Sequence, residues 1–472
     1  MPEHPNILLI HSDQHRYDCV GAHGVREGLH TPRLDQLARS GTIFNHAYST
    51  IPICTPARAS LMTGAWPTTH GCYCIPTSEL NRAARPGLPL LTELLVEAGY
   101  RTCWTGKYHR ELEVDPENVD HIHDYAPLWH YQKWREKEGI PPAEKPHGFF
   151  GDVDKNCPPE KSSLAWQADH VIRQMEANRD HPFFIRWDPP EPHLPCNPVS
   201  SFADLFAQAD LKPWASFPET FEDKPATQKR QARIWGTGKW TWEDWLPIVR
   251  LYHAIIAEMD FHIGRVLDHL EKQGLADNTL VIYSSDHGDF CGGHGLMDKH
   301  FNMYDDTTRV PLIMRWPGQI PSGQTCEAFA SNSIDIARTI LEAAEIPAPG
   351  TFVGENLSRM ASDLSFRPRN YAYSQYFGTE SGAASIRMLR DHRYKFVYHP
   401  TGDTHEFYDL QTDPGELHNR IHEQDLQTVI TQFKSDLWDQ MKNVGDPLAC
   451  AWTQIELQDG KPLATKWMGE NH

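Results

Sequence analysis

The stretch Asn6-Ile7-Leu8-Leu9-Ile10-His11-Ser12-Asp13-Gln14 decides how the rest of the chain is read. Five residues, four of them apolar, read as a short buried β-strand, and the polar run that follows places Asp13 past the strand's carboxyl end. Open α/β sheets gather their ligands at that end. Further along, the pattern repeats. Leu91–Ala98 has helical spacing, then Gly99 and a strand-like Tyr100-Arg101-Thr102-Cys103-Trp104 lead into Gly106-Lys107-Tyr108-His109. Pro182–Trp187 is another strand, followed by a proline-rich loop with His193. An amphipathic helix from about Tyr252 to Leu270 passes through Gly274 into the strand Thr279–Ser284 and on to Ser285-Asp286-His287-Gly288-Asp289. This alternation predicts an α/β fold with a large, mostly parallel central sheet flanked by helices, over residues 1–365.

Two stretches interrupt the alternation, about residues 112–160 and 205–248. Both are rich in proline, charge and tryptophan, and they read as long loops of the kind that bind or cover a site. Past residue 366, Ser385–Leu389, Tyr394–Tyr398 and Glu406–Leu410 read as antiparallel strands, with a turn at Asp413-Pro414-Gly415 and a helix near Asp425–Lys442. Residues 366–472 are therefore expected to form a smaller C-terminal α+β subdomain with an antiparallel sheet.

A net charge of -19 argues against nucleic acid as a partner, so an anionic ligand needs a local cationic pocket within an acidic envelope. No run approaches a membrane span. Asn6–Ile10 is too short for a signal-peptide core and lacks a basic lead, so the chain reads as cytoplasmic, or periplasmic if a leader precedes it. The ten cysteines show no framework spacing and read as reduced and mostly buried; Cys72 and Cys74 lack the second pair that completes a zinc site.

One cysteine differs. Cys54-Thr55-Pro56-Ala57-Arg58 continues as Ala59-Ser60-Leu61-Met62-Thr63-Gly64. Cys54 lies just ahead of a proline suited to a first helical turn, where unpaired N–H groups and partial positive charge collect. That setting suits a nucleophile attacking an anionic ester. Asp13 and Gln14 on one loop and Asp286 and His287 on another supply the oxygen and imidazole donors of a divalent-metal site.

Cys-x-Pro-x-Arg followed by Thr-Gly resembles the signature of the formylglycine-dependent sulfatases of the alkaline phosphatase superfamily. The resemblance covers most of the chain: the Gly-Lys-x-His, Pro-His-x-Pro and Ser-Asp-His-Gly segments and the tail Tyr408-Asp409-Leu410, Asp413-Pro414-Gly415-Glu416 follow in family order. It implies that Cys54 is oxidised to formylglycine by a formylglycine-generating enzyme, so that the working group is an aldehyde hydrate. It also implies a metal, calcium first and manganese or magnesium as alternatives, held by Asp13, Gln14, Asp286, His287 and the modified Cys54. Arg58 would hold the formylglycine, Lys107 and Lys299 would bind sulfate oxygens, and His193 with Lys299 would protonate the leaving alcohol. His109 would then deprotonate the second hydroxyl of the diol, which expels sulfate and restores the aldehyde.

Two positions depart from the family pattern. Asp13-Gln14 stands where many sulfatases have two aspartates, a form that resembles choline sulfatases and phosphonate monoester hydrolases. Ala65 replaces a frequent arginine after Thr63-Gly64, which bears on recognition by the maturation enzyme. The expected activity is hydrolysis of a sulfate monoester, with a sulfated carbohydrate ahead of an aryl or other small sulfate. The alternatives are a phosphonate monoester or phosphodiester hydrolase, and a non-catalytic metal-binding protein with unmodified Cys54. The oligomeric state is left open.

Overall fold

The computed structural model describes residues 4–75, 83–143, 148–363, 365–378 and 384–459. Its main sheet is built from β1 (Asn6–Ser12), β2 (Thr42–Tyr48), β3 (Arg101–Gly106), β4 (Asp124–Pro127), β5 (Phe183–Asp188), β6 (Thr279–Ser285), β7 (Leu312–Arg315) and β8 (Gln324–Ser331). Their order is β4-β3-β5-β1-β6-β7-β2-β8. Strand β7 runs antiparallel to both neighbours, and every other pairing is parallel.

Strand β1 is central and buried at all seven residues, which accounts for its nearly unbroken apolar run. Its alternation feeds two cores. Leu8 and Ile10 join Val281, Tyr283 and Trp187 on one face, while Ile7 and Leu9 join Leu280, Ile282 and Phe184 on the other. The helices that matter for the site are α1 (Cys54–Thr63), α2 (Ser163–Ala177), α3 (Trp242–Lys272) and α4 (Ile334–Ala343). The first face is covered by α2 and α3 through Leu164, Val171, Ile256 and Ile263. The second is covered by Leu61 of α1 and by Ile336 and Ile340 of α4.

The two stretches expected as loops contain regular structure. Helices occupy Leu128–Lys137 and Ala226–Trp235, and α3 begins at Trp242, ten residues before the sequence reading places it. Thr241 and Asp244 close a capping box at that start, and Pro247 sits inside the helix. The proline and the dense tryptophans mask the 3.6-residue period there. In Leu128–Lys137 only Tyr131 is buried, so no apolar stripe exists to be read.

A second, antiparallel sheet has the order β12-β11-β10-β9, from β9 (Ala372–Gly378), β10 (Ala384–Arg390), β11 (Tyr394–Tyr398) and β12 (Glu406–Asp409). Helix α5 (Gln427–Asn443) packs on it through Ile430, Phe433 and Leu437. Trp66 and Ile334 of the larger unit enter the same cluster.

Candidate active site

The carboxyl ends of β1, β3, β5 and β6 deliver their following residues to one place, and α1 points its N-terminus there. All ten residues of α1 are buried. Ile53 at its N-cap makes no side-chain cap, which leaves the first-turn N–H groups open beside Cys54. The helix ends at Gly64, whose φ of 62° and close approach to the Phe352 ring leave no room for a side chain. That is the physical content of the Thr-Gly pair.

Cys54 is fully buried, with Sγ 3.1 Å from His287 Nε2 and 3.6 Å from Asp13 Oδ1. Ligand atoms of Asp13, Cys54, Asp286 and His287 all lie within 4.8 Å of one another. His287 is turned toward the cluster by its other nitrogen, Nδ1, which donates to the Gly288 carbonyl at 2.8 Å. An imidazole anchored in this way presents Nε2 as a metal ligand. Burial pushes the Asp286 carboxyl up to about 6, with Asp13 adding to the effect. His287 is raised to about 9: burial opposes its charge, and Asp286 and Cys54 overcome the opposition. Buried carboxylates that retain a proton on a neighbouring imidazole mark a surplus of negative charge, which suits a hard divalent cation.

Gln14 sits beside this group in a left-handed backbone conformation, φ 68°. Its amide nitrogen donates to Asp289 Oδ2 at 2.5 Å and Asp298 Oδ1 at 3.0 Å, and Oε1 accepts from Lys299 Nζ at 3.0 Å. The side chain therefore ties the loop after β1 to the Asp298-Lys299 loop.

Arg58 is buried with three carboxylates around it. Its guanidinium donates to Asp188 at 2.7 Å, Asp286 at 3.0 Å and Asp13 at 3.1 Å. Its charge is spread over these carboxylates, two of which belong to the cluster with Cys54.

Cations face the thiol from the other sides. Lys107 is hydrogen-bonded to Asp13 Oδ2. Gly106 precedes it at φ 107°, where a Cβ would lie 2.1 Å from the Asp188 carbonyl, so the turn into Lys107 requires glycine. Lys299 Nζ lies 3.2 Å from His193 Nε2, and His193 Nδ1 donates to the Leu194 carbonyl at 2.6 Å. Burial pushes the Cys54 thiol up, but Lys107, Lys299, His287 and a hydrogen bond from His109 prevail and hold it well below its usual value. The acidic chain thus contains the local cationic pocket its charge balance demands.

A cavity of about 510 Å³ adjoins these groups, with Lys107, His193, Glu191, Tyr131 and Arg135 in its lining. Glu191 is pushed up to about 7 by burial. Tryptophans of the 235–245 segment pack elsewhere. Trp245 is buried in the core and Trp240 stacks edge-on against it. His294 is buried against Tyr304 and bonded to Glu219, away from the thiol.

Sequence reasoning missed Asp188, Arg186 and Glu111. Arg186 pairs with Asp188 at 2.6 Å and with Glu111 at 3.2 Å, and all three are buried. Asp188 ends a strand as Asp13 and Asp286 follow theirs, and that position was the available signal.

Comparison with known proteins gives the family. The Sulfatase family model matches residues 5–346, and the model of N-sulphoglucosamine sulphohydrolase, C-terminal, matches 292–443. The uncharacterized sulfatase YidJ of Escherichia coli is 28% identical, over 98% of this chain and 92% of its own. An N-acetylglucosamine-6-O-sulfatase of Bacteroides thetaiotaomicron is 25% identical, over 88% of this chain and 82% of its own. The solved phosphonate monoester hydrolase of Agrobacterium radiobacter shares the fold with a TM-score of 0.80 at 22% identity, covering 93% of this chain and 96% of its own. The chain belongs to the sulfatase family and is a sulfuric ester hydrolase.

Proposed function

We propose that the protein hydrolyses a sulfate monoester of a carbohydrate, with Cys54 matured to formylglycine and with calcium as the metal. The observation that carries this is the placement of Cys54 Sγ between His287 and Asp13, inside a ring of cations. The relative named N-acetylglucosamine-6-O-sulfatase supports the carbohydrate class.

Asp13, Asp286 and His287 fit a divalent cation by their donor chemistry, and Gln14, next in the chain, has its side-chain oxygen on Lys299. The metal supplies Lewis acidity, and the aldehyde hydrate supplies hydroxyl groups for attack and for release. The chain's residues do the rest. Lys107 and Lys299 neutralise the sulfate oxygens as charge builds on them. Arg58 keeps Asp13 and Asp286 in place by bonding both. The leaving alcohol takes its proton from the Lys299–His193 pair. Because the His193 Nδ1–H is committed to Leu194, Nε2 is the nitrogen that exchanges protons with Lys299. His109 accepts the proton whose loss frees sulfate. The cavity beside Lys107 and His193 takes the sugar.

The test is a release assay on sulfated mono- and disaccharides, an aryl sulfate, choline sulfate and a phosphonate monoester. Wild type and Cys54→Ala are compared, with mass spectrometry of the Cys54 peptide. The expected result is sulfate release from a sugar, lost in Cys54→Ala, with an aldehyde mass at position 54. Phosphonate turnover far above every sulfate replaces the assignment with a phosphonate hydrolase. Only free thiol in an active preparation sinks the mechanism.

A further inference from the structure

His109 is held from two directions by its backbone. Its N–H donates to Glu111 Oε2 at 2.8 Å, and its carbonyl accepts from the Thr55 hydroxyl, inside the cysteine motif, at 2.9 Å. Between His109 and Glu111, Arg110 adopts φ 58°, a left-handed conformation that an ordinary residue keeps only where its surroundings enforce it. The Glu111 carboxylate folded back onto the His109 N–H spans this turn. Nothing in the motif requires an acid at 111, yet the side chain is fully buried.

The other carboxylate oxygen, Glu111 Oε1, accepts from Arg186 at 3.2 Å. The same guanidinium nitrogen lies 2.6 Å from Asp188 Oδ2, which is also the oxygen that accepts from Arg58 at 2.7 Å. Arg186 is buried, with its guanidinium carbon 3.9 Å from the centre of the Trp104 ring, a cation–π contact. An unbroken chain of buried charge therefore runs from the His109 backbone through Glu111, Arg186, Asp188 and Arg58 to Asp13 and Asp286. Lys107 is anchored separately, by Asp13 and by its own N–H on the Asp188 carbonyl. The His109 Nδ1 is buried with no hydrogen-bond partner. The ring's other bond is to Cys54, and the backbone anchors set where the ring stands against that thiol.

We infer that Glu111 and Arg186 are positioning residues: Glu111 seats His109 against the product of Cys54, and Arg186 holds Glu111 and Asp188 at the spacing this requires. The inference rests on the function proposed above. It separates two halves of the reaction. Transfer of sulfate to the enzyme uses Lys107, Lys299 and His193, none of which bonds to Glu111. Release of sulfate from the enzyme uses His109, which does.

The experiment is steady-state kinetics combined with intact-mass analysis of enzyme quenched during turnover. The variants are Glu111→Gln, Arg186→Met and Arg186→Lys. Gln at 111 keeps one acceptor but sets an amide N–H against the second donor. In Glu111→Gln, kcat is expected to fall about 100-fold, the scale for a misplaced catalytic group. Its kcat/KM stays near wild type, and the quenched enzyme carries covalently retained sulfate. Arg186→Met lowers kcat and kcat/KM together, because Asp188 loses its partner as well. Arg186→Lys recovers most of both, since one ammonium nitrogen can bridge the two carboxylates.

Parallel loss of kcat and kcat/KM in Glu111→Gln without retained sulfate, or no loss at all, overturns the inference. If Glu111→Gln does not fold, recovery in Arg186→Lys against Arg186→Met carries the test, and equal activities in those two overturn it. Wild type that releases no sulfate, or that keeps a thiol at position 54, overturns the proposed function instead.

Discussion

At position 14 a side-chain amide does what a carboxylate would undo. The Gln14 nitrogen donates to both Asp289 and Asp298, so this corner of the site holds two buried acids on one neutral donor and on Lys299. Burial pushes Asp289 up to about 6, and Asp298 beside it adds to the rise. A glutamate in place of Gln14 would keep the shape, remove both hydrogen bonds and set a third carboxylate against the first two. The expected cost of Gln14→Glu is about 3 kcal/mol or more at pH 8, the scale for a buried charge left uncompensated. Its sign with pH follows from Asp289. As pH falls through about 6 that group gains a proton and can donate to the introduced carboxylate, so the loss of stability shrinks toward pH 5.5. Chemical unfolding of both proteins at pH 8 and 5.5 checks this, and a cost independent of pH contradicts it.

Gln14 also shows what is legible at this scale. Asp13, Gln14, Asp286 and His287 stand out in the sequence because each pair follows an apolar run that ends abruptly. Glu111, Asp289 and Asp298 do not, because a carboxylate's importance here comes from partners more than a hundred residues away in two of the three cases: Asp289 and Asp298 meet Gln14 across 275 and 284 positions. Glu111 lies two residues past a named motif, and only its folded-back contact distinguishes it from a surface acid.

Between elements, the second sheet is fastened to the first by buried charge. Lys395 on β11 lies 2.6 Å from both Asp305 and Glu416, and donates to the Met303 carbonyl at 3.1 Å. Arg390 on β10 reaches Asp305 at 2.7 Å, and the Asp305 N–H donates to Glu416 at 2.6 Å. The tail motif ending in Glu416 therefore acts as a clamp: it caps the turn Asp305–Thr308 that follows the Lys299 loop. Lys395→Met leaves two buried carboxylates facing one another, with Arg390, Arg309 and the Tyr48 hydroxyl on Asp305 but, among the described residues, no cation on Glu416, and about 3 kcal/mol of stability is expected to go. Adding Glu416→Gln should restore part of it, giving a coupling that a double-mutant cycle of unfolding free energies measures. Additive losses would show that the clamp is not one unit. The strands of this sheet are readable from their alternation. Their fastening is not, since a lysine in a β-strand reads as solvated, and Lys395 is fully buried.

Over the whole molecule, stability against pH is set by buried groups that keep the wrong charge for bulk water. Burial holds His15, His70, His253 and His262 down to about 3, so the folded chain keeps them neutral where the unfolded chain binds protons below about 6.5. Each withdraws stability as pH falls from about 6.5. Burial also raises Glu191, Glu258 and Asp260 to about 7, against about 4 when unfolded. These act oppositely, withdrawing stability as pH rises from about 4 to 7. His23 and His405, lowered to about 4, add to the first set. Glu219 and Glu406, held near 2 by His294 and His399 against the opposing effect of burial, also favour the folded state as pH rises. Below about pH 6 the histidines outweigh the raised carboxyls, so the melting temperature should drop from pH 6 to 4.5, and the paired acids steepen the fall below about pH 4.5. Above pH 7 the raised carboxyls are already ionised and contribute no further slope. There His287, raised to about 9, and buried thiols such as Cys103, pushed up to about 12, supply the slope: without metal the His287 contribution is lost as pH rises through about 9. The melting temperature is thus expected to peak between about pH 6 and 7, with the alkaline limb flattened when calcium replaces the proton at His287. Scans from pH 4.5 to 9.5, with calcium and with chelator, test both limbs. A flat acid limb refutes the histidine argument, and an alkaline limb indifferent to calcium removes His287 from the metal site.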